Sequence, residues 1–260
     1  MKKARTGRLP NSQQIVAETF AQLGLMQGKA QPDQVRADFN HNLRLAFDRT
    51  LKVLESYEAP IYGKIALGNF VKQRENDVKR AERQLKSKSL GQIVSNLLEK
   101  WYPSLLQIFL SVSQSRKTRG GKDFELELSG LFDLAEIPFE MQRSKDRVDF
   151  FLPSEAVFRT DRNKALIVSA KRTLRERWRE VAAELYEIRS PNVYLATADD
   201  DISDEKVKGL TDHNVYLLLW DEIKKQKFST HPKVIGFSEF VNDRLPAFEA
   251  LWKREIKSST

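Results

Sequence analysis

One aspartate and one lysine occur in two short apolar segments of the sequence. Asp149 lies within residues 147–153, "RVDFFLP", and Lys171 ends residues 164–171, "KALIVSAK". A carboxylate inside an apolar strand is costly unless it is paired or holds a metal ion. Ser169 lies two positions before Lys171, so both side chains point to the same side of a strand. If the two strands are neighbours, Asp149 and Lys171 meet at one end of the sheet.

This juxtaposition suits the hydrolysis of a phosphodiester bond. A carboxylate can hold a divalent cation, Mg²⁺, against the phosphate, while a lysine positions or deprotonates water and offsets developing charge. One carboxylate is too few for tight metal binding, so we expect Glu184, on the following predicted helix, to be the second ligand. Glu125, on an earlier predicted helix, is a candidate outer-sphere carboxylate. Each acid alone could equally form an ordinary salt bridge.

Composition limits the class of protein. The 260 residues are 40% hydrophobic, which predicts a folded chain with a real core. A formal charge of +8 is compatible with a polyanionic partner such as nucleic acid, although many basic proteins have none. The chain has no cysteine, which excludes disulfides and thiolate zinc sites. Its basic start lacks the apolar block of a signal peptide, so we expect a cytoplasmic protein.

Hydrophobic periodicity divides the chain into two parts. Residues 1–115 predict a helical N-terminal region, in which the polar stretch 71–89 is either an exposed helix with ion pairs or a helix along a phosphate backbone. Residues 116–260 contain a predicted helix at 122–134, then four apolar runs that alternate with further helical patterns. The runs, at 147–153, 164–171, 192–198 and 215–220, predict buried strands. The fold class is therefore α/β, with a central mixed sheet flanked by helices.

The order of these residues resembles the PD-(D/E)xK nuclease core in a rearranged form. The pattern is Asp149, then Ser169-Ala170-Lys171, then Glu184 on the next helix, and "RGGKDFE" at 119–125 resembles a related segment that ends in Phe-Glu. This form is typical of Type II restriction endonucleases of the EcoRII and PspGI kind, which recognise CCGG, CCNGG or CCWGG. The resemblance covers about residues 115–245 and departs from the family pattern at Val148, where the family name has proline.

The resemblance also implies a recognition element, an Arg-acid-Arg triplet at the start of the helix after the catalytic strand. Here it is Arg175, Glu176 and Arg177. Arginine can donate two hydrogen bonds to guanine, and glutamate can accept from the amino group of cytosine, so the triplet suits a CC/GG half-site. The nearby Arg172 and Arg179 would contact phosphates. A mixed-charge helix start is the alternative interpretation.

Related enzymes use a helical N-terminal part to embrace DNA and to stack a residue on an extruded base. Tyr62 and Phe70 are the candidates here, although a core aromatic is the more common role for either. A palindrome read by one protein implies a two-fold homodimer. A cognate DNA methyltransferase would be a functional partner in the host. The alternatives are a low-specificity repair or defence nuclease of the same fold, and a non-catalytic basic DNA-binding protein.

Overall fold

A computed structural model describes residues 9–141, 148–174 and 178–258, apart from the side chains at 64–66 and 254–258. The first part of the chain is helical, as predicted. Its first helix begins with a capping box, in which Asn11 and Gln14 exchange hydrogen bonds between side chain and backbone. The elements are α1 (Ser12–Gln22), α2 (Pro32–Ala37), α3 (Phe39–Ala59), a π-helical segment (Pro60–Leu67), α4 (Gly68–Lys72) and α5 (Glu75–Gln84).

A single helix of 45 residues, α6 (Leu90–Leu134), connects the two parts of the chain. It begins with a second capping box, between Ser89 and Gln92. It continues through Pro103 and through the boundary that we predicted near residue 115. Most of its buried residues lie in the C-terminal third, where Phe124, Leu128 and Leu131 pack in the core.

The second part is built on one mixed sheet of six strands in the order β1 to β6. The first three strands pair antiparallel and the last four pair parallel. All four predicted strands are present as β2 to β5, whereas the two short outer strands were not predicted. The strands are β1 (Glu140–Met141), β2 (Phe150–Leu152), β3 (Leu166–Lys171), β4 (Val193–Thr197), β5 (Val215–Leu219) and β6 (Val234–Gly236).

Helices cover both faces of the sheet. One face packs against α1, α3 and α6 in a cluster that includes Val16, Phe39 and Phe124 beside Val168. The other face packs against the helices Trp178–Tyr186 and Asp204–Asp212 through Ile167, Leu185 and other apolar residues. These remaining helices are α7 (Glu155–Thr160), α8 (Trp178–Tyr186), α9 (Asp204–Asp212), α10 (Asp221–Lys227), α11 (Phe237–Glu239), a second π-helical segment (Phe240–Arg244) and α12 (Leu245–Ser258).

The segment between β3 and α8 starts differently from the prediction. The pattern of "RTLRERWREVAAELYEIR" predicts a helix over residues 172–189, yet residues 172–174 are irregular and the described helix begins at Trp178. Residues 175–177 lie outside the described parts of the chain. None of the described helices is both long enough and apolar enough to cross a membrane.

Candidate active site

Asp149 is held at the edge of the sheet by three donors from one strand. It directly precedes β2, and its Oδ2 accepts hydrogen bonds from Ser169 Oγ at 3.0 Å, the Ala170 backbone N–H at 2.7 Å and Lys171 Nζ at 3.2 Å. The antiparallel register explains this arrangement, because Phe150 pairs with Val168 and so brings residue 149 opposite residue 169. The predicted meeting of Asp149, Ser169 and Lys171 is therefore present in the structure.

The residues around the Asp149–Lys171 ion pair differ in their exposure to solvent. Ser169 is fully buried, whereas the Lys171 side chain is about two-fifths exposed and that of Asp149 about one-fifth. The carboxylate is therefore anchored from the interior, and the lysine faces an open space. Partial burial strengthens the attraction between the two charges over what it would be in bulk water.

Lys171 lines a large cavity of about 800 Å³ that also contains Glu125 and Arg172. The wall opposite the strand comes from α3, through Phe47, Leu51 and Leu54. The N-terminal helical region thus forms part of the same cavity as the strand end. Sequence reasoning did not place α3 here, because the contact joins residues that are far apart in the chain.

Glu184 lies on the helix that covers the face to which Ser169 and Lys171 point. Ile167 packs against α8, and alternate residues of a strand share a face, so Ser169 and Lys171 are on the α8 side of β3. Glu184 is half-buried on that helix. The structure describes no hydrogen bond or ion pair between Glu184 and the Asp149–Lys171 pair, and Glu184 does not line the cavity.

Glu125 lies on the opposite side of the cavity, on α6. It is paired with Lys122 one turn earlier, at 2.9 Å. The side chain of Glu125 is about one-fifth exposed. Glu125 and Asp149 come from different layers of the fold, Glu125 from a helix and Asp149 from the start of a strand.

The donor set at Asp149 fits a divalent cation in part. Within the described residues, all hydrogen bonds to this carboxylate go to Oδ2, so Oδ1 is left for another ligand. Oxygen ligands from carboxylates are those that Mg²⁺ prefers. Among the same residues, however, no three acidic or histidine side chains converge on one point. A metal ion here would depend on Asp149, one further acid and ligands from substrate or water.

The predicted reading triplet Arg175, Glu176 and Arg177 lies outside the described residues, but its neighbours on both sides are well anchored. Leu174 is buried, and its backbone N–H donates to Asp199 Oδ2 at 2.8 Å. Trp178 packs so closely on Gly209 that a Cβ there would lie 2.1 Å from the indole ring. Sequence reasoning missed Asp199, which follows β4.

The two candidate phosphate contacts differ. Arg172 lines the cavity beside Lys171. Arg179 is exposed on α8 and is ion-paired with Glu205 of α9. The geometry therefore groups Arg172, but not Arg179, with the cavity.

The two candidate stacking aromatics also differ. Phe70 is buried, with Trp101 against it at 5.4 Å and the Arg74 guanidinium 3.8 Å from its ring centre. Tyr62 is half-buried and lines a second cavity of about 540 Å³ together with Leu67, Ile108 and Phe109. Phe70 thus has the core role that is common for an aromatic residue, and only Tyr62 borders open space.

Two buried acids on α6 were not predicted. Asp123 and Glu127 are 3% and 1% exposed, and each has a carboxylate oxygen with no hydrogen-bond partner among the described residues. Burial raises the pKa of Glu127 to about 8, although a hydrogen bond with Thr50 opposes the rise. Burial also raises the pKa of Asp123, against a hydrogen bond from Ser12 and the nearby charges of Arg119 and Arg172. The sequence carried one signal, because Glu127 lies three residues after Phe124 and four before Leu131, on the buried face of the helix.

Comparison with known proteins gives matches in sequence. The family described as EcoRII C terminal matches residues 81–241, more than half of the chain. The Type II restriction enzyme SsoII of Shigella sonnei is 29% identical over 175 residues, which are 63% of this chain and 57% of SsoII. The chain thus spans little more than half the length of that relative.

Solved structures are similar as well. Metal-depleted Ecl18kI in complex with uncleaved DNA has a TM-score of 0.80 and 26% identity, over 96% of this chain and 83% of Ecl18kI. A complex of the restriction endonuclease PspGI with substrate DNA has a TM-score of 0.59 at 18% identity, over 92% of this chain and 93% of PspGI. The latter is a likeness of fold alone.

Proposed function

Because the chain belongs to the EcoRII C-terminal family, we propose that it is a Type II restriction endonuclease, which hydrolyses phosphodiester bonds in double-stranded DNA with Mg²⁺ as cofactor. The observation that carries the proposal is the Asp149–Lys171 pair, held by Ser169 and Ala170 beside a cavity of about 800 Å³. Four cationic side chains line that cavity, namely Arg116, Lys117, Lys171 and Arg172, and they are available to contact a DNA phosphate.

Asp149 and Glu184 are the proposed metal ligands. Asp149 would use Oδ1, since Oδ2 is occupied by three donors. Glu184 belongs to the helix on the same face of the sheet as the Lys171 side chain. When bound, Mg²⁺ supplies charge stabilisation at the phosphate and lowers the pKa of coordinated water.

Lys171 is the proposed group that assists the attacking water. Its ammonium donates to Asp149 and to the Ala170 carbonyl, so its position is fixed before DNA binds. Fixed donors need little reorganisation when charge develops on the phosphate, and this is why they stabilise a transition state. Ser169 supports Asp149, and Glu125 provides an outer carboxylate across the cavity.

Recognition of a short palindrome with CC and GG arms, CCWGG or CCNGG, is proposed for Arg175, Glu176 and Arg177. The residues that flank this triplet are fixed in position. The Leu174 backbone N–H donates a hydrogen bond to Asp199, and Trp178 packs on Gly209. Arg172 would contact a phosphate from within the cavity, and Arg179 would do so from the helix surface. Tyr62 is the remaining candidate for stacking on an extruded base.

A palindromic site implies a two-fold homodimer, and one surface of α6 suits a second copy of this chain. We define the α6 face as the exposed apolar residues that recur every three or four positions between residues 94 and 110 of this helix. They are between 39% and 61% exposed, and a row of exposed apolar side chains on one helix suits contact with another protein chain. The α6 face comprises Val94, Leu98, Tyr102, Leu106, Phe109 and Leu110.

The choice of a second copy rests on continuity with the cavity. The same helix that presents the α6 face carries Asp123 and Glu125 into the cavity. In a two-fold dimer the same surface of each subunit forms the interface. An apolar stripe along a helix can pack against the same stripe of a second copy when the two helices run antiparallel. A cognate DNA methyltransferase would protect the host at the same sequence.

Incubation of the purified protein with Mg²⁺ and a plasmid of known sequence tests the proposal. Discrete fragments whose mapped ends share one palindrome are expected, and EDTA abolishes them. A low-specificity nuclease of the same fold would instead degrade the plasmid to a smear. Glu176→Ala separates the two, because it removes cleavage at the defined site in a restriction enzyme and leaves nonspecific nicking unchanged. A non-catalytic DNA-binding protein would cut nothing, and Lys171→Ala would change only its affinity.

A further inference from the structure

The guanidinium of Arg172, next to Lys171 in the chain, is packed between two helices of the first half of the protein. On one side it lies 4.7 Å from the ring centre of Phe47, on α3. On the other side it lies against the backbone of Gly120, on α6. The cation therefore sits between an aromatic face and a bare stretch of helix, a geometry that suits a cation–π contact.

The Phe47 ring is itself fixed by other aromatics. The edges of Phe124 and Trp220 meet it at 6.2 Å and 5.8 Å, with interplanar angles of 88° and 67°. Both of these partners are fully buried. Phe47 cannot turn without disturbing the core, so the face that it presents to Arg172 has a set direction.

Gly120 is the residue that makes room for the arginine. A Cβ at this position would lie 2.4 Å from Arg172 Nη1 and 2.9 Å from its Cδ, both closer than atoms can approach. Glycine is a poor residue for the interior of a helix, because it loses more backbone freedom than alanine. Its presence within α6 is explained by the side chain that crosses it.

Electrostatic attraction also holds the Arg172 guanidinium in this position, while its N–H groups donate no hydrogen bond to the described residues. The carboxyl of Asp123, buried on the same helix as Gly120, interacts electrostatically with the guanidinium. In the described parts of the chain, however, no hydrogen bond is donated by Arg172. A guanidinium that is fixed by packing and still has its N–H groups available is ready to bind an oxyanion.

We propose that Phe47 and Gly120 are positioning residues that hold the Arg172 guanidinium beside Lys171, aimed at a DNA phosphate in the cavity. This inference rests on the proposed nuclease function and adds a specific role for the N-terminal helices. By fixing the position of the Arg172 guanidinium, these helices would affect the reaction itself, in addition to any direct contact that they make with DNA.

Gly120→Ala is the direct test, with Gly91→Ala as a control on the same helix. A Cβ at Gly91 meets no atom within 4 Å, so this control adds the same methyl group without displacing a side chain. Displacement of a catalytic-site group by about 1 Å can cost about 100-fold in rate. We expect Gly120→Ala to slow DNA cleavage about 10- to 100-fold, and Gly91→Ala to cleave like the unmodified protein.

A double-mutant cycle with Arg172→Ala tells positioning from a general structural defect. If Gly120 acts through Arg172, then Gly120→Ala has no further effect once the guanidinium is gone. The cycle is measured on cleavage and, in EDTA, on the dissociation constant for DNA, so it can be read even where cleavage is very slow. Arg172→Ala should also reduce the salt dependence of binding by about one phosphate contact.

Phe47→Leu is a second variant that does not crowd the helix. It keeps an apolar side chain of similar size but removes the aromatic face, so we expect the same slower cleavage and the same lack of effect in the Arg172→Ala background. The proposal is overturned if the Gly120→Ala and Phe47→Leu proteins cleave DNA as fast as Gly91→Ala. It is also overturned if either substitution slows cleavage by the same factor in the Arg172→Ala protein as in the unmodified protein. Absence of any cleavage by the unmodified protein would instead count against the nuclease function.

Discussion

Lys171 and Asp149 form an ion pair of 3.2 Å in which the acceptor oxygen is shared with two further donors. All three donors come from the end of β3, so the strand both carries the lysine and orients the carboxylate. Among the described residues, the second carboxylate oxygen accepts no hydrogen bond. One short segment therefore sets the positions of the proposed metal ligand and of the proposed group that assists water.

Lys171→Ala should slow cleavage by about 10²- to 10³-fold, the usual loss for a preorganised donor at a reacting centre. DNA should still bind in EDTA, since one charge among many is removed. The matched control is Lys225→Ala, an exposed lysine on α10. Rates are measured on a plasmid with Mg²⁺ in excess. A Lys171→Ala protein that cuts as fast as the control would remove this residue from the mechanism.

Glu184→Gln and Glu125→Gln should separate a metal ligand from an outer carboxylate. Loss of a ligand raises the Mg²⁺ concentration at half-maximal cleavage, and we expect at least a tenfold rise for Glu184→Gln. Glu125→Gln should cause a smaller rise than Glu184→Gln, because a carboxylate that does not coordinate the ion affects its binding only indirectly. The measurement is cleavage rate against Mg²⁺ concentration. Equal curves for Glu184→Gln and the unmodified protein would exclude Glu184 as a ligand.

Glu127 predicts a pH dependence of stability. Burial raises its pKa from 4.5 to about 8, so the folded protein keeps a proton that the unfolded chain releases. Between about pH 4.5 and 8 the unfolded state therefore binds fewer protons, and the free energy of unfolding falls as pH rises through this window. The total fall is on the order of a few kcal/mol.

Glu127→Gln should remove most of that fall, because glutamine is neutral at every pH and can keep a hydrogen bond to Thr50. Glu99→Gln, an exposed position on the same helix, is the control and should leave the pH profile unchanged. Urea unfolding between pH 5.5 and 8.5 measures the effect. If Glu127→Gln has the same slope as Glu99→Gln, the buried carboxyl carries no proton in the folded state.

Leu98→Lys should convert a dimer into a monomer, since it places a charge within the apolar α6 face. Leu98 is 52% exposed, so the single chain should fold normally with lysine at this position. Leu251→Lys, at an exposed leucine on α12, is the control and should leave the mass unchanged. Sedimentation velocity gives the mass of each variant. A Leu98→Lys protein with the mass of the unmodified dimer would exclude this face.

Much of the sheet could be predicted from sequence because its strands are apolar on both faces. The runs that contain Phe150, Val168, Val193 and Leu217 all form strands. By contrast, β1 and β6 have two and three residues, too few to produce a periodic pattern. They exist because a neighbouring strand supplies their hydrogen bonds, a nonlocal cause.

Long-range contacts also explain the other differences. The helix predicted from residue 172 is absent at Leu174, whose backbone N–H is bonded to Asp199 from another strand end. The charged residues and two glycines near residue 115 suggested a boundary, but they lie within one helix. Gly120 is present there because the Arg172 side chain packs against it, and the sequence does not show that contact. For the site, spacing predicted the meeting of Asp149, Ser169 and Lys171. It had no means of predicting Phe47, which reaches the cavity only through the packing of α3.

The length of α6 has a geometric consequence for a paired molecule. From Tyr102, in the α6 face, to Glu125, in the cavity, the helix advances about 35 Å at 1.5 Å per residue. In the proposed dimer a continuous rod therefore connects the symmetry axis to each reaction centre, without a flexible joint between them. The distance between the two cleavage positions would then depend on the length of this helix rather than on the conformation of a loop.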